Sequence, residues 1–143
     1  MAASSSRFTV AVHVLTLLAY EEGRALTSDY IAGSVNTNPV VIRRMLGLLN
    51  KAGMVSSTEG VGGGTTLAMP AEKITLADVS RAVEPGELFG AARSDPNPLC
   101  PVGRRVQSVL KQYVEQFETA LDREMDKVTV ADVLKGVRAP ARR

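Results

Sequence analysis

Apolar residues recur at three- and four-residue spacing in separate runs along this chain, and each run is bounded by residues that start or stop a helix. Phe8, Ala11, Val12, Leu15, Leu18 and Ala19 make the first stripe, capped by Ser6 and ending near Tyr20, with Gly23 behind it. Thr27 caps a shorter run whose inner face is Ile31, Ala32 and Val35. The third run is the most explicit. Asn38 offers a side-chain oxygen as cap, and Pro39 suits the first helical position, where no N–H is needed. Ile42, Met45, Leu49 and Ala52 form its seam, and Gly53 closes it in a left-handed turn with Met54 folding back. The period then changes. Val55–Thr58 and Thr65–Ala68 read as short strands joined by the glycine-rich turn Glu59–Gly64. After the connector Met69–Lys73 the helical period returns over Ile74–Val83, capped by Thr75, with Leu76, Val79 and Val83 inward.

Pro85, Gly86, Gly90, Pro96 and Pro98 exclude a long element between Glu84 and Leu99. Cys100-Pro101 then opens the longest helix, from about Val102 to Asp126. Its stripe holds Val102, Val106, Val109, Leu110, Tyr113, Val114, Phe117, Leu121 and Met125. So wide a stripe outruns what a small domain can cover, which points to a helix of a second subunit; packing back on the same chain is the alternative. Thr129 caps a last short helix with Val130, Val133 and Leu134 apolar, before the basic tail Ala139–Arg143. The fold class expected is mainly α with one small β-hairpin. Residues 1–83 form the first unit, 84–100 a loop that could house a sensor, and 101–143 a dimerisation helix plus a C-terminal helix.

A short helix, the tight turn Val35-Asn36-Thr37-Asn38 and a second helix make a helix-turn-helix, and a hairpin directly after it makes a winged helix. In that arrangement Asn38, Val40, Arg43 and Arg44 occupy the front of the helix that would enter a DNA major groove, where guanidinium forks match guanine O6/N7 or phosphate. A solvated face with two ordinary charges is the alternative. The Thr27 and Ser28 hydroxyls with the amides beside them, and Arg7, would meet the backbone of double-stranded DNA, and Gly62 and Gly63 belong to a wing that can approach the minor groove. The turn is not a P-loop, which needs Gly-Lys-Ser/Thr opening a helix.

Composition narrows the partners. The 143 residues suffice for one domain or one domain with an oligomerisation arm, and the net charge is only +2. In residues 1–70, Arg7, Arg24, Arg43, Arg44 and Lys51 stand against Glu21, Glu22, Asp29 and Glu59, so a DNA footprint must come from placement of charge and from doubling in a dimer. One cysteine excludes an internal disulfide, and one cysteine with one histidine cannot supply the usual ligands of a zinc site. His13 reads as a surface or half-buried helix residue. No signal peptide is legible, and the apolar run Phe8–Tyr20 is interrupted and too short to cross a bilayer. The expectation is a cytoplasmic protein that does not enter the membrane, with no paired catalytic constellation.

Leu49–Ser57, Gly60–Gly64, Ile74–Val83, Asn38–Arg44 and Cys100-Pro101-Val102-Gly103 together resemble the Rrf family of bacterial winged-helix regulators, the type that includes IscR, NsrR and CymR, in its cysteine-poor YwnA-like branch. The resemblance covers nearly the whole chain. It implies a homodimer bound to an inverted-repeat operator, usually as a repressor of its own or neighbouring genes. Cluster-binding members carry three cysteines before the long helix; this chain has Cys100 alone, so no iron–sulfur cofactor is expected. The family's wing commonly has Arg before its glycines and an aromatic after them, where this chain has Glu59 and Thr65. An acid there is repelled by phosphates, and a winged helix that binds a protein partner without specific DNA binding is the competing function. Cys100 is a redox-sensing candidate if amides at the start of the long helix stabilise its thiolate; a buried residue packing the helix start is the alternative.

Overall fold

Local signals place most element ends. In a computed structural model that describes residues 5–90 and 94–141, α1 spans Arg7–Tyr20, α2 Ser28–Val35 and α3 Pro39–Lys51. Thr27 Oγ1 accepts the Tyr30 N–H at 3.1 Å and Asn38 Oδ1 accepts the Val40 N–H at 2.8 Å, satisfying amides that a helix start leaves unpaired. At the end of α3, Gly53 takes φ +77°, its N–H donates to the Asn50 carbonyl at 2.9 Å, and the Met54 N–H donates to the Leu49 carbonyl at 3.0 Å. This is the expected left-handed closure, and Met54 is buried as its hydrophobic contact. Ser6 differs from expectation: its backbone is not extended, its side chain makes no cap, and Ser5 Oγ accepts the Arg7 N–H at 3.2 Å instead.

Strand β1, Val55–Thr58, pairs antiparallel with β2, Gly64–Leu67, in the register Val55↔Leu67 to Thr58↔Gly64. The second strand starts one residue earlier than its side chains advertise. Gly64 pairs with Thr58, and a bond pair unannounced by the local pattern ties the strand's other edge: the Thr65 N–H donates to the Leu26 carbonyl at 2.8 Å and the Leu26 N–H to the Thr65 carbonyl at 3.0 Å. The residues entering α2 thus flank the hairpin as a third edge.

A 3₁₀ turn at Ala71–Lys73 leads to α4, Leu76–Val83, which opens with a reciprocal Thr75/Asp78 capping box. Among the described residues, Glu84 to Cys100 contains no helix or strand, as the prolines require; part of that loop lies outside the described residues. Helix α5, Val106–Asp126, begins four residues later than the apolar stripe indicates. Residues 101–105 form turns folded closely on Asn97: the Cys100 N–H donates to the Asn97 carbonyl at 3.2 Å, and a Cβ at Gly103 would lie 2.7 Å from that carbonyl. Helix α6, Val130–Arg138, repeats the capping box with Thr129 and Asp132.

Ala11, Val14, Leu15 and Leu18 of α1, Ile31 of α2, Ile42 and Leu49 of α3, Ile74, Val79 and Val83, and Val130 and Leu134 of α6 share one core. The C-terminal helix therefore packs into the same interior as the helix-turn-helix. Its approach is fixed by backbone bonds from the Leu76 N–H to the Val128 carbonyl (2.8 Å) and from the Val130 N–H to the Ile74 carbonyl (2.9 Å). Some stripes are rotated from their expected facing. Phe8 and Val12 are half-buried while Val14 and Thr16 are fully packed; Leu76 is half-buried while Ala77 is enclosed. Ala52 is exposed because it stands past the last full turn, and Leu46 takes the place expected for it. No residue of α5 is buried, and Arg81 of α4 ties to it through both oxygens of Asp122 at 3.0 Å.

Candidate nucleic-acid interface

Once Ile42, Met45, Leu46 and Leu49 face the core, the 3.6-residue turn leaves Val40, Arg43, Arg44, Gly47 and Asn50 outward, and all five are exposed. The hairpin stands beside this face. Between them lies a groove of about 440 Å³ lined by Ser28, Arg43, Gly47, Lys51, Ser57 and Thr58, among others. Arg43 of α3 and Ser28 of α2 both line it. Lys51, Asn50, Ser57 and Thr58 were not anticipated; the spacing Arg43-Gly47-Asn50/Lys51 along one helix side is the signal that could have found them.

Arg44 and Val40 are exposed on α3 but do not line this groove, and neither does Arg7 at the start of α1. Asn38 and Thr27 spend an oxygen on capping, leaving the Asn38 amide group and the Thr27 hydroxyl proton as donors. In the wing turn Gly60 and Gly62 take φ +93° and +79°, and Val61 between them is fully exposed at the tip. Gly63 donates its N–H to the Gly60 carbonyl at 2.9 Å, and a Cβ there would lie 2.4 Å from the Thr58 carbonyl. Its role is to let the turn close, and its amide is not left for a ligand. Ser57 Oγ and Thr65 Oγ1 lie 2.9 Å apart across the hairpin and stiffen its base. Arg24 stacks over the Tyr30 ring at 5.1 Å and pairs with Glu21 at 2.9 Å, which fixes the link from α1 into α2.

Cys100 is exposed, so in this chain it is not the buried packing residue that was its alternative. The Gly103 N–H reaches its sulfur at 3.4 Å, and the Gly103 and Val102 amides hold the thiol below its ordinary pKa. His13 is exposed, with Nε2 at 2.9 Å from Ser34 Oγ.

A helix-turn-helix with a free second helix, flanked at once by a hairpin, defines a winged-helix DNA-binding transcriptional regulator. The chain belongs to the Rrf2 family, whose model, described as an iron-dependent transcriptional regulator, matches residues 4–136. It is 42% identical over 130 residues to the protein named HTH-type transcriptional regulator YwnA of Bacillus subtilis (strain 168), covering 91% of this chain and 96% of that one. A crystal structure described as a DNA binding protein is similar at 36% identity and a TM-score of 0.70, covering 90% of this chain and 99% of its own. IscR of T. potens shares the fold at a TM-score of 0.72 and 24% identity, over 99% of this chain and 93% of that one.

The family description raises iron, and the donors can be tested against it. Iron–sulfur clusters are held mainly by several thiolates. This chain has one cysteine, and the described residues hold no group of three or more His, Cys, Asp or Glu side chains close enough for a metal ion. The donor set does not fit a cluster.

Proposed function

We propose that this regulator is a homodimer that reads an inverted-repeat operator through α3 and represses its own or neighbouring genes, in the cytoplasm, without an iron–sulfur cluster and without enzymatic activity. The observation that carries the proposal is the free outer face of α3, where Val40, Arg43 and Arg44 stay exposed beside a groove that already holds Ser28 and Lys51. Arg43 and Arg44 are the base-reading candidates and Val40 an apolar contact for a thymine methyl. Thr27, Ser28 and Lys51 offer donors to phosphate, Arg7 a further cation, the Asn38 amide group a further donor, and Gly62 a small residue beside the wing tip.

The dimer is supported by α5. Val106, Val109, Leu110, Tyr113, Phe117 and Leu121 are exposed and Val114 is half-buried, with Leu110, Tyr113 and Phe117 each at least half open to solvent. Such a stripe costs free energy in water and loses that cost against a second copy of itself. Selection of bound duplexes from a random library tests the dimer and its operator. It predicts enrichment of an inverted repeat bound by a species that sediments as a dimer at micromolar concentration. Enrichment of a single half-site by a monomer, or no enrichment, overturns it. Operator binding is expected to persist in metal-free buffer with chelator.

A further inference from the structure

A second groove, of about 460 Å³, runs between α1 and α6 and shares no lining residue with the one beside α3. Its size is that of a small-molecule site. Its enclosed part is made by Val12, Thr16, Leu17 and Leu134, and Thr16 offers no free proton because its hydroxyl donates to the Val12 carbonyl at 2.6 Å. Tyr20 and Val137 stand at the rim, 56% and 63% exposed, as apolar surface that packing within the chain does not explain. Polar groups beyond Thr16 are few and sit on exposed residues: the Thr9 and Tyr20 hydroxyls and the His13–Ser34 pair.

The cation nearest the groove is Arg138, which follows the lining residue Val137 in the chain. None of the lining residues is an acid, and the Arg138 guanidinium lies over the Tyr20 ring at 5.4 Å. Among the described residues Arg138 has no carboxylate within ion-pair distance. An apolar trough with a cation at one end matches a molecule with an apolar body and an anionic head. We propose that the α1–α6 groove binds a small amphipathic acid, a medium-chain or aromatic carboxylate, with its body along Val12, Leu17 and Leu134 and its carboxylate at Arg138. The bound molecule would abut Ser34 of α2, the first helix of the helix-turn-helix. The proposal is independent of operator recognition.

The chain's single histidine lies in this groove and gives one resolvable imidazole signal. Titration of the full-length protein with decanoate, below its aggregation range, is expected to move that signal saturably. Arg138→Gln should weaken binding roughly fivefold and decanol should bind weaker than decanoate by a similar factor, the loss of one exposed charge contact. Val137→Trp, at an exposed rim position, should block the shift while circular dichroism remains unchanged. An unmoved histidine signal, or a shift indifferent to Val137→Trp, overturns the site. Equal binding of decanol and decanoate overturns the acid. If decanoate is inert and Val137→Asp instead converts a dimer to a monomer, the groove is a subunit contact and the proposal falls.

Discussion

Arg43 and Arg44 are neighbours in sequence with different surroundings. Arg43 faces the hairpin across a groove shared with Lys51, whereas Arg44 stands on α3 outside it. In operator titrations followed by fluorescence anisotropy, Arg43→Ala and Arg44→Ala should each cost about 1–3 kcal/mol if the guanidinium meets a guanine, and relax preference at that base pair. Lys51→Ala should weaken operator and scrambled duplex alike and lower the salt slope by about one. If both arginine variants keep wild-type affinity and preference, α3 does not read the major groove. Cys100 makes a second residue-scale prediction. With its thiol held down by the Gly103 and Val102 amides, the thiolate forms at lower pH than in an ordinary cysteine. Alkylation by iodoacetamide followed against pH should show a midpoint below that of free cysteine under the same conditions, and a midpoint at or above it would show that the amides do not reach the sulfur. Whether peroxide then changes operator affinity in wild type but not in Cys100→Ser decides if the thiol is a sensor.

At the scale of elements, what could be read from the sequence follows the range of the forces involved. Helix ends are set by residues two to five apart, so Thr27, Asn38-Pro39, Gly53, Thr75 and Thr129 mark theirs correctly. The strand partner Leu26 and the Ile74–Val130 tie join residues tens of positions apart, and no local pattern carries them. Which apolar residue of a stripe is enclosed depends on what packs against it, and so Val14 and Leu46 escaped notice while Ala52 was misplaced. For the candidate interface, the front of α3 was legible and the groove it shares with the hairpin was not. Two glycines make these ranges measurable. At Gly53 a Cβ would meet nothing within 4 Å, so Gly53→Ala carries backbone strain alone and should cost about 1 kcal/mol in urea unfolding. At Gly64, φ is +152° and a Cβ would lie 2.8 Å from the Leu26 carbonyl, so Gly64→Ala should cost clearly more. Equal losses would mean that the Leu26 edge yields freely.

For the whole molecule, the proposed dimer rests on α5 and its charge pattern on the wing. Phe117→Asp would place a carboxylate in the desolvated seam, at a cost of several kcal/mol if unpaired, and should turn a sedimenting dimer into a monomer. Residues 55–67, the whole hairpin, carry no cation and one acid, Glu59. Glu59→Arg should tighten operator binding and steepen its dependence on salt, through one added phosphate contact per subunit at about 0.9 in slope each. An unchanged slope would place the wing tip away from DNA. The double anchorage of α5 has a further consequence. Asp122 is gripped by Arg81 at one point, and the chain leaving the helix is stitched to α4 by the Leu76–Val128 and Ile74–Val130 bonds. A dimer that keeps these ties presents its two reading heads at one separation and one angle around the duplex. Adding about five base pairs to the centre of the operator would turn one half-site to the opposite side of the helix and abolish paired binding. Adding about ten would restore the facing but stretch the span by roughly 34 Å, which a dimer of one separation cannot follow.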